Sequence, residues 1–330
     1  MHVVAAPDKL RGTASAPAAA AAVARAAAAA GWACDEVPMA DGGEGTLDAL
    51  GGANRITTVH GPLGDPVEAG WRLDGRTAVI EMAAASGLAV VGGAEANDPV
   101  AASTVGTGEV IAAALDAGAT RIIVGVGGSA TTDGGLAALR ALHPVGRLLG
   151  AELIVACDVR TRFLDAAEVY GRQKGATDAQ VELLRRRLER LAQVYQTEHG
   201  VDVTTIEGSG AAGGLAGGLA AIGARLVPGF DLVADEVGLY DRIEDADLVI
   251  TGEGFLDAQS FEGKVVGGVA ALAAHAGVPV VAIAGQIFDG AERQIESISL
   301  VERFGAARAR TDTLACIEEA AASVIADHAP

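Results

Sequence analysis

Short β-branched runs alternating with alanine-rich or amphipathic segments predict an α/β protein with two α/β domains. One domain reads as a parallel α/β sheet, the other as a mixed α/β unit with an antiparallel portion. The strand–helix–strand rhythm occurs at both ends of the chain, and between residues 55 and 82 it gives way to strands separated by turn signals. At 330 residues the chain also exceeds what one core usually fills.

The elements follow in order. His2–Ala6 is a short strand ending in Pro7-Asp8, and Ser15, with Pro17 in the first turn, opens an alanine helix. Asp35–Ala40 reads as a second strand running into Asp41-Gly-Gly-Glu-Gly45, with a helix from Thr46. Ile56–His60, Val67–Leu73 and Thr77–Met82 form an antiparallel meander around Gly61-Pro62, Gly64-Asp65-Pro66 and Asp74-Gly75. Helix returns at Gly108–Ala117, strand at Arg121–Val126, helix at Gly134–Leu142 and strand at Leu153–Ala156. Thr177–Tyr195 carries Val181, Leu184, Leu188 and Leu191 on one face, so its arginine run is a solvated face. Leu248–Ile250, Gly267–Ala276, Val278–Ala284 and Thr313–Ala326 complete the alternation. The parallel sheet is thus expected from residues 1–60 plus 240–330, with the second domain, 61–239, inserted between them.

Composition narrows the partners. The formal charge of −19 argues against nucleic acid and anionic membrane, but leaves room for a small anionic substrate in a locally basic pocket. Three scattered cysteines, Cys34, Cys157 and Cys316, suggest neither a disulfide framework nor a metal site and fit a reducing cytoplasm. The N-terminus lacks the pattern of a signal peptide, and Ala16–Gly31 is too weakly hydrophobic to span a bilayer. The expected location is cytoplasmic, and a homodimer is left open.

Four glycine-rich stretches each follow an apolar run and carry a carboxylate or hydroxyl: Ala40–Gly45, Gly125–Gly135, Gly208–Gly218 and Thr251–Gly254. Glycine lets backbone amides turn toward a ligand, and several such amides make an anion-binding concavity. Only three of the 24 basic residues are lysine, and Lys9, Lys174 and Lys264 all lie beside Asp or Gly in loop-like segments. A lysine ammonium is a compact charge suited to phosphate oxygen. Gly125-Val-Gly-Gly-Ser-Ala130 matches the GxGxxA dinucleotide pattern, but Thr-Thr-Asp-Gly-Gly is a poor first helical turn and no suitably placed acidic residue follows. No Walker spacing exists around Gly263-Lys264, and the six histidines form no spaced set. Carboxylates in glycine loops suit a hard cation, and Mg²⁺ carried by a nucleotide is the natural candidate. This combination supports phosphoryl transfer, which needs positioning, a metal, positive charge and a carboxylate base more than covalent chemistry.

In order along the chain, APDKLRGTASA (6–16), VPMADGGEGT (37–46), VIEMAAASGL (79–88), STVGTGE (103–109), GVGGSATTDGG (125–135), ACDV (156–159), QKGA (173–176), GSGAAGGL (208–215) and TGEGFLDAQSFEGK (251–264) resemble the bacterial glycerate kinases of the type-1 family. The resemblance implies ATP-dependent phosphorylation of D-glycerate, at the 2-hydroxyl, with Mg²⁺, and two α/β domains, one of them a Rossmann-like three-layer parallel sheet. Departures are Leu10-Arg11 in the first motif, Phe255 after Gly252-Glu-Gly254, and Arg160-Thr-Arg-Phe163 after Val159.

The residues expected to do this work are Asp8, Arg11, Asp133 and Lys264 in catalysis. Expected for substrate or phosphate are Lys9, Asp41, Gly42, Gly43, Gly127, Gly128, Ser129, Asp158, Lys174, Ser209, Gly210, Glu253 and Asp257. Asp41 and Asp133 are the expected Mg²⁺ carboxylates. The rival readings are a nicotinamide-dependent oxidoreductase using the GxGxxA loop and a non-catalytic sensor of phosphorylated metabolites on a kinase scaffold.

Overall fold

The computed structural model describes residues 1–10, 12–288 and 290–329. Arg11, an expected catalytic residue, lies outside the described residues. Among those described, the strands are β1 (His2–Pro7), β2 (Ala33–Glu36), β3 (Arg55–His60), β4 (Pro66–Asp74), β5 (Thr77–Glu81), β6 (Arg121–Gly125), β7 (Glu152–Ala156), β8 (Arg225–Val227), β9 (Leu248–Leu256), β10 (Val280–Ile287) and β11 (Glu296–Ser299). They make two sheets in two compact units: unit 1 is Met1–Asp41, Asp48–Leu50 and Phe230–Pro330, and unit 2 is Gly42–Leu47 and Gly51–Gly229.

The sheet of unit 1 is parallel throughout, in the order β11-β10-β9-β1-β2. β1 is apolar from Val3 to Pro7 because both its faces are covered there, as parallel strands require. Val3 and Ala5 enter one core with helices Ala16–Ala29 and Thr313–Asp327, whereas Val4 and Ala6 enter another with Leu239, Ile243, Val265 and Val269. Ser15 caps the alanine helix by accepting from the Ala18 amide, with Pro17 in the first turn. β2 ends at Glu36, earlier than expected, although Val37 and Met39 still donate to Ala5 and Pro7.

Thr251–Gly254 is a correction to the sequence reading. It is not a loop but the middle of β9, paired with β1 and β10. A Cβ on Gly252 would lie 2.1 Å from the Ile283 carbonyl oxygen, so this glycine permits close strand approach and frees no amide for a ligand.

Unit 2 holds a six-stranded sheet in the order β3-β4-β5-β6-β7-β8. The β3–β4 and β4–β5 pairs are antiparallel, and the remaining pairs are parallel. β3 belongs here through its pairing with β4, and Phe230 with Val233 packs in the core of unit 1, so the units divide earlier than residues 60 and 240. The long helix Asp178–His199 starts on a reciprocal cap between Thr177 and Gln180 and ends at Gly200 in the left-handed region. Val181, Leu184, Leu188, Leu191 and Tyr195 bury its apolar face against Phe163 and the sheet. Its arginines stay on the surface, where Arg185 and Arg186 pair with Glu182.

Candidate active site

In unit 1, β1 and β9 deliver the functional side chains to the carboxyl end of the sheet, where α/β proteins bind ligands. The Asp8 amide donates to the Gly252 carbonyl at 2.8 Å, which fixes Asp8 just past β1. Asp8 is buried; its Oδ1 accepts from the Lys9 amide at 2.7 Å and lies 3.6 Å from the Lys9 ammonium. Burial pushes its carboxyl up to about 6; Lys9 opposes the shift and the negative charge of Asp41 adds to it. Glu253, inside β9, is likewise raised to about 7, mainly by burial, with Ser260 and Lys264 opposing and Asp8 and Asp257 reinforcing. Its Oε1 is buried and has no hydrogen-bond partner among the described residues. Lys264 begins the helix Val265–Ala276, is half-buried, and makes no ion pair among the described residues. Asp257 is occupied locally: it accepts from the Gln259 and Ser260 amides while its own amide donates to Ser260 Oγ.

In unit 2 the glycine loops pack on one another. The Val126 amide donates to Gly42 at 3.0 Å, and a Cβ on Gly127 would sit 2.7 Å from Gly43 Cα. Gly42 lies in the left-handed region, and a Cβ there would strike Ala156 and Gly229 at 2.9 Å. Glu81, at the end of β5, accepts from the amides of Gly45 and Leu47, both at 2.8 Å. The next turn is tied to residues 86–88 by the Leu88 amide on Gly128, the Ala130 amide on Ser86, and a Gly87–Ser129 bridge. Ser129 is buried to all but 8%.

Asp133 is held from within unit 2. Its Oδ2 accepts from the Thr104 amide and hydroxyl at 3.0 and 2.8 Å, and its Oδ1 accepts from Gly135 at 3.0 Å. Burial raises its carboxyl and these donors oppose the shift. Asp158 accepts from the Gly229 amide at 2.6 Å. Lys174 is buried, and its ammonium donates to the Thr131 carbonyl at 2.7 Å. Burial pulls it down to about 7, with the charge of Asp133 working the other way.

Gly208–Gly218 is not an open loop. All of it is buried, running through a left-handed turn at Ala212, Gly213 and Gly214 into the helix Leu215–Ala221. The Ser209 hydroxyl donates to Ile206 at 2.6 Å, and a Cβ on Gly210 would meet the Arg162 carbonyl at 2.3 Å. Ser209 and Gly210 therefore present no surface to a ligand here.

The expected residues fall into two sets: Asp8, Lys9, Asp41, Glu253, Asp257 and Lys264 belong to unit 1, and Gly42, Gly43, Gly127, Gly128, Ser129, Asp133, Asp158, Lys174, Ser209 and Gly210 to unit 2. Among the described residues, no group of three or more His, Cys, Asp or Glu could hold a metal by itself. The GxGxxA loop does not open a helix, since the next begins only at Leu136.

Residues 3–145 and 143–329 match the model of the glycerate kinase family. The chain belongs to the glycerate kinase family. It is 43% identical over 310 residues to the glycerate kinase of Halalkalibacterium halodurans, covering 81% of each chain. It is 42% identical over 291 residues to the glycerate 2-kinase of Escherichia coli, covering 77% of this chain and 76% of that one. A crystal structure from Salmonella typhimurium LT2, described as a glycerate kinase 2, superposes with a TM-score of 0.82 at 34% identity over 99% of both chains. Glycerate kinase family membership makes the chain an enzyme and removes the oxidoreductase reading.

Sequence reasoning passed over Glu81, Asn97, Thr104 and Ser260, although they hold the loops of the chain in place. Each is a single polar residue whose partner is remote in sequence or is a backbone group. Glu81, Thr104 and Ser260 lie inside the segments that carry the resemblance, VIEMAAASGL, STVGTGE and TGEGFLDAQSFEGK, which is the one signal for them; Asn97 lies in none.

Proposed function

We propose that this enzyme transfers the γ-phosphoryl group of ATP to the 2-hydroxyl of D-glycerate. The observation that carries the reading is the pair of carboxyls in unit 1, buried Asp8 at about 6 and half-buried Glu253 at about 7, beside Lys9 and Lys264. A carboxyl tuned toward neutral pH can take the proton of an alcohol as it attacks phosphorus, and ammonium groups stabilise the charge that builds on the phosphoryl oxygens. Asp8 is the proposed base, with Glu253 in support. Lys264 and Lys9 are assigned to the phosphoryl group or the substrate carboxylate.

The residues present also fit Mg²⁺. Asp41 adds negative charge at Asp8, and Asp8 adds it at Glu253, which a divalent cation relieves. Mg²⁺ keeps several waters and is commonly held by one or two carboxylates plus substrate phosphates. Asp8 and Asp41 would hold it; bound there, it would neutralise phosphate charge. In unit 2, Ser129 and the amides near Gly127 and Gly128 are proposed to hold an anionic group. Asp133, with both oxygens occupied, is assigned to anchoring that loop. Three free cysteines support a reducing cytoplasm as the setting.

Incubation with ATP, Mg²⁺ and a panel of hydroxy acids, read by coupled ADP release and phosphorus NMR, tests the proposal. D-Glycerate should give 2-phosphoglycerate. Binding of glycerate without ADP release would favour the sensor reading, and 3-phosphoglycerate as product would displace the assigned hydroxyl.

A further inference from the structure

We infer that Lys174 is a positioning residue: it pins the glycine loop at Ala130–Thr131 and does not itself hold phosphate. What it positions rests on the kinase reading above; the pinning does not.

Lys174 is only 2% exposed, whereas Lys9 and Lys264 are partly accessible. Its Nζ is held by the Thr131 carbonyl at 2.7 Å and lies 5.9 Å from the centre of the Tyr170 ring. The backbone beside it is tied to the same loop. Asn97 donates from one amide nitrogen to the Lys174 carbonyl at 2.8 Å and to the Ala130 carbonyl at 3.0 Å. Lys174 and Asn97 thus take two successive loop carbonyls, Thr131 and Ala130. The turn that seats the lysine is itself constrained: Gly175 is in the left-handed region, and a Cβ there would fall 2.3 Å from the Ala94 carbonyl oxygen. Gly213 closes on the same Thr131 carbonyl, which a Cβ at that position would approach to 2.0 Å.

The energetics favour a structural pin. Burying an ammonium is unfavourable unless its donors find acceptors. Methionine would fill the space at lower cost, so what lysine adds is the bond to Thr131 and the proximity of its charge to Asp133. To reach a phosphate, the ammonium would have to abandon that carbonyl and leave a buried seat. Held where it is, it fixes the backbone between Ser129 and Asp133.

Hydrogen–deuterium exchange on the ligand-free enzyme tests the pin directly. In Lys174→Met the peptide covering residues 127–135 should exchange about 10-fold faster or more, while the strands of unit 1 stay unchanged. In the kinase assay kcat should fall about 100-fold, the usual effect of displacing a group by an ångström, with KM for ATP and glycerate within about 3-fold. Asn97→Ala should move both readouts in the same direction by less. It carries the test if Lys174→Met fails to fold. Unchanged ligand-free exchange in both variants, or unchanged exchange with KM for ATP raised about 10-fold in Lys174→Met, overturns the inference in favour of a direct phosphate ligand. If the wild-type chain releases no ADP, the kinase reading fails while exchange still decides the pin.

Discussion

Asp8 in unit 1 and Asp133 in unit 2 are both carboxylates displaced upward by burial, yet their surroundings differ in kind. Asp133 receives three hydrogen bonds from Thr104 and Gly135, and its neighbour Thr131 is held by Lys174. Asp8 has Lys9 on one oxygen and two further acids, Asp41 and Glu253, close enough to raise its proton affinity or have theirs raised by it. Satisfied polar networks rigidify, whereas a carboxylate placed beside other carboxylates has a raised affinity for a proton or a cation. Unit 2 thus uses its polar groups to build a loop, and unit 1 leaves its own ready for chemistry.

Asp8→Asn should expose this contrast most sharply. Removing the proposed base is expected to lower kcat about 1,000-fold, with the fold intact by circular dichroism. Asp133→Asn, which keeps Oδ1 for Gly135 but places an amide against the Thr104 donors, should instead lower stability together with activity. A kcat for Asp8→Asn within a few-fold of wild type would remove the asymmetry on which the assignment stands.

Gly213→Ala attacks unit 2 on its own terms. The new methyl would sit 2.0 Å from Thr131 O at a backbone φ of +65°, against backbone that has little freedom to move. A loss of about 3 kcal/mol in urea unfolding is expected, combining overpacking with left-handed strain. A loss under about 1 kcal/mol would mean that the glycine loops of unit 2 are looser than their contacts indicate.

These contacts also show what could be read beforehand. The meander is legible from its turn residues, and the parallel runs and the amphipathic helix are legible because burial fills Ile122–Val124 throughout and recurs along one face of Val181–Leu191. Glycine was the misleading letter. Gly252 inside β9 and Gly210–Gly218 in the core look in sequence like Gly128 on its turn, since a missing Cβ serves backbone-to-backbone approach and ligand approach alike. β8 is three residues long and carries no pattern of its own. The carboxylates of unit 1 were picked out one by one, but nothing in their spacing announced that Asp8 and Glu253 meet across 245 residues through β1–β9 pairing.

The pH dependence of stability should separate the units again. The folded-state values of Asp8 and Glu253, about 6 and about 7, lie above their ordinary 3.8 and 4.5. The folded form therefore binds the protons more tightly, and the stability this confers is present below about pH 4 and lost as pH rises through 6 to 7. Asp8→Asn removes one such group. Its stability relative to wild type should rise by about 2 kcal/mol between pH 4 and pH 8, measured by urea titration at each pH. A parallel pH response in the two proteins would mean that Asp8 is not held uncharged by its surroundings.

Gly263→Ala is the mild counterpart of Gly213→Ala. Gly263 also has positive φ, +81°, but no atom stands within 4 Å of where its Cβ would go. Left-handed strain alone should then act, about 1 kcal/mol, partly offset by the lower entropy of the unfolded alanine chain. Gly263 immediately precedes Lys264, so a small rotation there also re-aims the ammonium. The expected signature is a small loss of stability with a several-fold rise in KM for the substrate that Lys264 holds, measured by urea unfolding and by initial rates with ATP and glycerate varied in turn. If KM moves for neither substrate while stability drops as expected, Lys264 is excluded as a ligand to both, and the positive charge in unit 1 has to be reassigned to Lys9 or Arg11.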